Sequence, residues 1–136
     1  MKMTKTLEGI AWLEEDLAFS PPVRIKFDGY YDKRDDQFKG TVEINGRVYS
    51  DMFLDNGYPS THFEGKDINH QGPVYFDRDL ERLAWSLPQS ELPPELTNQQ
   101  FPEAEVWLVA PASSSEVAKS LRQELEDRHL QKLGLK

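Results

Sequence analysis

The chain has 136 residues and carries 24 acidic against 16 basic side chains, a formal net charge of −8 at pH 7. This length suits one globular domain spanning residues 1–136, and a hydrophobic content of 38% excludes a disordered chain. The absence of cysteine excludes disulfides, thiolate metal sites and cysteine nucleophiles. The negative charge disfavours direct contact with nucleic acid and with anionic membranes.

The first predicted element is an N-terminal helix over residues 6–19. Its apolar residues recur at helical spacing and share one stripe: Leu7, Ile10, Leu13 and Leu17. Ser20 and the two prolines that follow it would end the helix. The same stretch becomes acidic where a signal peptide would stay apolar, so we expect a cytoplasmic protein.

A β-meander of three strands is predicted over residues 22–54. Val23, Ile25 and Phe27 alternate with charged residues, which is the period of a half-buried strand. Asn45-Gly46 is the strongest hairpin signal in the chain because both residues tolerate positive φ. Apolar residues on both faces of the third strand indicate either a β-bulge near Gly40 or a strand covered on both sides.

Two long irregular connections follow, over residues 55–73 and 88–103, because both are rich in turn-forming residues or proline. The segment between them, 77–87, is ambiguous. A helix starting at Asp77 fits its leucine spacing, although Leu83, Trp85 and Leu87 also alternate as in a strand. We predict the helix.

The last two elements are a central strand over residues 104–110, which is almost continuously apolar, and a C-terminal helix. Ser113 to Glu116 has the pattern of a capping box, the stripe is Val117, Leu121 and Leu125, and Gly134 suits the C′ position. Together the elements predict an α+β fold. Its antiparallel sheet has four to five strands, with the N-terminal and C-terminal helices packed on it.

The connection 55–73 contains a cluster of candidate metal or acid–base residues: His62, Glu64, Asp67 and His70. Their spacing matches no recognised ligand framework, so we predict no metal site and no cofactor. One hypothesis for function nevertheless uses this segment. In it, the chain is a small enzyme or ligand-binding domain with His62, Glu64 and His70 in a site under the loop.

The other hypothesis is a binding surface on the first hairpin, which combines acidic and aromatic residues: Tyr30, Tyr31, Asp32, Asp35, Asp36 and Phe38. Solvated charges that keep the hairpin from aggregating are the competing interpretation. In size, charge and lack of catalytic motifs the chain resembles bacterial immunity proteins and phage-encoded inhibitors. That resemblance implies a non-enzymatic protein that binds a basic protein partner, such as a nuclease, and no nucleic acid directly.

Overall fold

The computed structural model describes residues 1–62 and 72–135. In this part of the chain, eight strands form one antiparallel sheet, which curls into a half-barrel, and one α-helix packs on it. The order across the sheet, in chain numbering, is β5-β4-β3-β2-β1-β8-β7-β6. The elements are β1 (Lys2–Trp12), β2 (Pro22–Asp32), β3 (Gln37–Ile44), β4 (Arg47–Asp55), β5 (Thr61–His62), β6 (Val74–Phe76), β7 (Leu83–Leu87), β8 (Val106–Ala110) and α1 (Ser115–Lys132).

The predicted N-terminal helix over residues 6–19 is wrong, because this stretch is the end of β1 followed by turns. Leu7, Ala11 and Leu13 point into the main core, whereas Ile10 and Trp12 point to the opposite face and pack under α1. β1 is therefore covered on one face at its start and on both faces at its end. Leu7 and Leu13 face inward and Ile10 faces outward, yet all three are apolar, so their spacing of three residues resembles the stripe of a helix.

The predicted helix over residues 77–87 is also wrong. A single 3-10 turn, Arg78–Leu80, precedes β7, whose five residues are all buried. Trp85 faces the main core and Ala84 faces the cluster beneath α1, so this strand is enclosed on both sides. The protein is thus mostly sheet with one C-terminal helix, and the predicted α+β arrangement of four to five strands between two terminal helices is contradicted.

The β-meander over residues 22–54 is confirmed, and of the two explanations offered for its third strand the structure shows the β-bulge near Gly40. The register between β3 and β4 shifts in the middle of the hairpin, where Asp51 takes a φ of 54°. If the register set at Ile44 and Arg47 continued unchanged, Phe38 would pair with Phe53. Because of the shift, Phe38 pairs with Leu54. Leu54 therefore enters the core, and Phe53 lies on the outer face.

The strand predicted over residues 104–110 is confirmed as β8, which pairs with both β1 and β7. The C-terminal helix is confirmed as well, with a different cap. Ser114 accepts a hydrogen bond from the Val117 N–H, one residue later than the predicted box requires. Ala118 and Leu125 are the buried residues of α1, and Gly134 takes the positive φ of a C′ residue.

The two ends of the curled sheet meet where the chain leaves β4. The Gly57 N–H donates to the Val74 carbonyl at 2.7 Å, and the Val74 N–H donates to the Tyr58 carbonyl at 3.2 Å. Beside them, the Asn56 side chain accepts from the Phe76 N–H at 3.0 Å and donates to the Phe76 carbonyl at 2.6 Å. This closing corner encloses the main core inside the half-barrel.

Glycine allows the sheet to curl where neighbouring strands approach most closely. A Cβ on Gly9 of β1 would lie 1.9 Å from the Val109 carbonyl oxygen of β8. Between β2 and β3, Gly29 pairs with Gly40, and a Cβ on Gly29 would lie 2.2 Å from a backbone oxygen. Backbone atoms cannot give way as a flexible side chain does, so only glycine fits at these positions.

We expect Gly9→Ala to lower the free energy of unfolding by about 3 kcal/mol or more, because the added methyl group collides with the backbone of the central strand pair. The matched control is Gly46→Ala in the hairpin turn, where a Cβ meets nothing within 4 Å and only its φ of 88° is unfavourable. That variant should lose roughly 1 kcal/mol. Urea denaturation measures both, and equal losses would contradict the close approach of β1 and β8.

Candidate binding surface

Of the three aromatic residues predicted to anchor a partner, one is at the surface. Tyr30 is 63% exposed, whereas Tyr31 is 1% exposed and Phe38 is fully buried. Tyr31 and Phe38 pair across β2 and β3 and face the core, since alternate residues of a strand point to opposite faces. The prediction that these two side chains contact a partner is therefore corrected: both belong to the core.

The predicted aspartates also divide into different roles. Asp32 and Asp35 are exposed. The Asp32 carboxylate accepts hydrogen bonds from the N–H groups of Arg34 at 2.9 Å and Asp35 at 3.2 Å, which fixes the turn between β2 and β3. These bonds, the one from the Asp35 backbone first, hold the pKa of Asp32 below its usual value. Asp32 thus combines a structural role with an exposed negative charge.

Asp36 belongs to a network of hydrogen bonds inside the turn. Its carboxylate accepts from the Tyr31 hydroxyl at 2.5 Å and from the Asn56 amide at 2.5 Å, and Lys132 of α1 lies 3.5 Å away. Burial, and then the bond to Asp36, raise the pKa of Tyr31 far above its usual value. Burial also raises the pKa of Asp55, with a contribution from the negative charge of Asp36. Asp36 therefore ties the turn to the closing corner and to α1.

Tyr30 stands in the middle of a row on the outer face of the sheet. Register places it beside Lys2 of β1 on one side and Lys39 of β3 on the other. The Lys39 ammonium lies 5.6 Å from the centroid of the Phe53 ring, the next position in the row. Two grooves of about 490 and 550 Å³ flank Tyr30 and Lys39, one towards the β2–β3 turn and the other towards Asp28.

Among the described residues, the charged side chains around Tyr30 are mostly basic, whereas the protein as a whole is acidic. Two acidic side chains from residues 1–62 and 72–135 line the grooves, Asp28 and Asp32. Four basic side chains line them as well: Lys2, Lys33, Arg34 and Lys39. Tyr30 thus has aspartates before and after it along β2 and lysines beside it on β1 and β3. The sequence prediction counted the acids of the hairpin and missed Lys2 and Lys39, which strand pairing brings to the same surface.

A signal that distinguishes Tyr30 from Tyr31 is present in the sequence. Continuing the inward alternation of Val23, Ile25 and Phe27 by two steps reaches Tyr31, so Tyr30 must face outward. Finding the neighbouring lysines requires more, because Lys2 pairs with Tyr30 only once residues 2–12 are known to be a strand. We call the outer surface formed by Tyr30 and the residues lining its two grooves the Tyr30 surface.

The alternative site under the loop falls mostly outside the described residues. His62 lies in β5, whose register sets it beside Met52, but Glu64 and His70 belong to residues 63–71. Across residues 1–62 and 72–135, no three acidic or histidine side chains gather as ligands for a metal ion. No helix in that part of the chain has the length and apolar character needed to cross a membrane.

No protein-family model, curated protein or solved structure matches this chain. A proposal for its function therefore has to rest on the geometry and the charge of its own surface. On that basis the Tyr30 surface is the candidate site, because it joins an exposed aromatic side chain to grooves lined by charged groups.

We expect Tyr31→Phe to lower the free energy of unfolding by about 1–2 kcal/mol at pH 7, because it removes one of the two buried hydrogen-bond donors of the Asp36 carboxylate and leaves Asn56 as the other. The raised pKa of folded Tyr31 means that its stabilising contribution is complete below the unfolded value of about 10 and is lost above it. The variant should therefore also lose less stability on titration above pH 10.

Tyr30→Phe is the matched control, since it removes the same hydroxyl from the adjacent, exposed ring. Its unfolding free energy should stay within about 0.5 kcal/mol of the unsubstituted protein at every pH. Urea denaturation at several pH values distinguishes the two. Similar losses in both variants would show that the inward and outward assignments on β2 are wrong.

Proposed function

We propose that this protein is a non-enzymatic binding protein of the immunity or inhibitor type, which engages a protein partner through the Tyr30 surface. The observation that carries the proposal is the 63% exposure of Tyr30 between two grooves. Tyrosine is among the residues that dominate binding energy when a partner covers them, because a rigid ring loses much solvent contact at small entropic cost. Charged neighbours around it supply the polar rim of an interface.

The packing of the half-barrel supports an external binding surface. Large side chains with almost no exposure fill its interior, among them Phe27, Phe38 and Trp85. A small curled sheet filled in this way has its space occupied by its own residues, unlike wider barrels that hold a ligand. The outer face of β1 to β3 therefore supplies the contact area in this proposal.

The partner that we propose is a basic protein, such as a nuclease, met in the cytoplasm. The net charge of −8 attracts a basic protein at long range and increases the rate of encounter. At contact, Asp28 and Asp32 would meet basic groups, while Lys2 and Lys39 would meet carbonyl oxygens or acidic groups interleaved among them. This alternating pattern would fix the orientation of the complex, which the net charge alone does not do.

We expect Tyr30→Ala to raise the dissociation rate of the complex roughly 30-fold, which corresponds to about 2 kcal/mol, because the ring would be a buried anchor. Tyr58→Ala is the matched control, since Tyr58 is an exposed tyrosine outside the two grooves, at the closing corner. Surface plasmon resonance with the partner isolated from the native host measures both variants. Equal weakening by Tyr58→Ala, or none by Tyr30→Ala, would remove the Tyr30 surface from the interface.

The same experiment tests the charge of the partner. Asp32→Asn with Asp35→Asn should slow association with a basic partner and weaken its salt dependence, whereas Lys2→Gln should accelerate association at low salt. Asn at position 32 keeps an oxygen that can accept the bonds of the turn, so the fold should be unaffected. If the aspartate substitutions accelerated association and Lys2→Gln slowed it, the partner would be acidic, and this part of the proposal would be contradicted.

A further inference from the structure

A separate concavity lies at the closing corner and shares no lining residue with the two grooves beside Tyr30. It is a crevice of about 150 Å³ between the last turns of α1 and the turn that follows β6. Phe76 and Leu125 supply its apolar walls, and three basic side chains reach it: Arg78, Arg128 and Lys132. This is a local concentration of positive charge on a protein whose net charge is −8.

The acidic groups around this crevice are already engaged. The Asp77 carboxylate accepts from the Glu81 N–H at 3.1 Å and from the Arg82 N–H at 2.8 Å, and it pairs with the Arg82 guanidinium at 2.7 Å. Asp36 is held by the Tyr31 hydroxyl and by Asn56, as described above. Within residues 1–62 and 72–135, the guanidinium groups of Arg78 and Arg128 consequently have no hydrogen-bond acceptor or acidic partner.

The charges favour an anion here. Four basic groups lie at or beside the crevice, since Arg82 joins Arg78, Arg128 and Lys132. Arg82 pairs with both Asp77 and Glu124, and Lys132 pairs with Asp36, so four basic groups minus three carboxylates leave an excess of one positive charge. The carboxyl end of α1 opposes an anion with about half a negative charge, which is smaller than this excess. The apolar walls formed by Phe76 and Leu125 lower the local dielectric on one side of the crevice, which strengthens the remaining attraction.

We propose that this crevice binds the phosphate group of a small ligand, either inorganic phosphate or a phosphomonoester. Guanidinium groups present planar sets of N–H donors that match the oxygens of phosphate, often two bonds at a time. The volume of about 150 Å³ lies well below the roughly 300–1,000 Å³ of most small-molecule pockets, so one headgroup fits and a larger ligand would project from it.

Isothermal titration calorimetry of the full chain with inorganic phosphate, at ionic strength held constant with sodium chloride, tests this assignment. We expect one binding event with a Kd of about 1 mM or tighter, as for a small ion held by a few charged groups. Arg78→Gln and Arg128→Gln should each weaken binding at least tenfold, because each removes one set of donors. Both residues are exposed, so the thermal midpoint without phosphate should not change.

Arg34→Gln is the matched control, because Arg34 is an exposed arginine on the Tyr30 surface. It should leave phosphate binding unchanged. A parallel titration with ethyl phosphate distinguishes the sources: binding of both compounds assigns a phosphomonoester, and binding of inorganic phosphate alone assigns the free anion. The proposal is overturned if phosphate produces no heat beyond the chloride control, or if Arg34→Gln weakens binding as much as Arg128→Gln does.

Discussion

The side chain of Asn56 closes the half-barrel, and much of the remaining structure depends on that closure. Its amide oxygen and nitrogen bond the backbone N–H and carbonyl of Phe76, and its nitrogen also donates to Asp36. A buried amide is costly unless its donors and acceptor are used, and here both the oxygen and the nitrogen are bonded. Asn56 thereby joins three distant parts of the chain: the end of β4, β6 and the turn after β2.

Closure also decides which residues are available for contact with other molecules. Once the sheet is curled around the main core, Val23, Ile25, Phe27 and Tyr31 of β2 point inward and contribute to that core. The Tyr31 ring packs in the core and its hydroxyl bonds to Asp36. Tyr30 faces solvent between Lys2 of β1 and Lys39 of β3. The phosphate crevice has the same origin, because the corner that Asn56 closes forms one of its walls.

Local patterns predicted four of the strands and the C-terminal helix. The β-meander, its bulge and the helix follow from alternation, turn residues and capping, and the central strand β8 follows from its continuous apolar run; all are properties of neighbouring residues. β1 and β7 were missed because their apolar residues also fit a helical stripe. β1 is buried on both faces only at its end, which interrupts its alternation, and in β7 the leucine spacing competes with the alternation of Leu83, Trp85 and Leu87. Ile10 looks like part of a helical stripe until α1, about a hundred residues later in the chain, is known to cover it.

The most direct test of this account is amide hydrogen exchange at the closing corner, followed by NMR spectroscopy. If the two ends of the sheet meet, the amides of Gly57, Val74 and Phe76 should exchange as slowly as that of Ile10, which lies in the central strand β1 and is expected to exchange only on global unfolding. In Asn56→Ala, the Phe76 amide should lose its protection first. Rapid exchange of these three amides in an otherwise protected protein would show an open sheet and contradict the account.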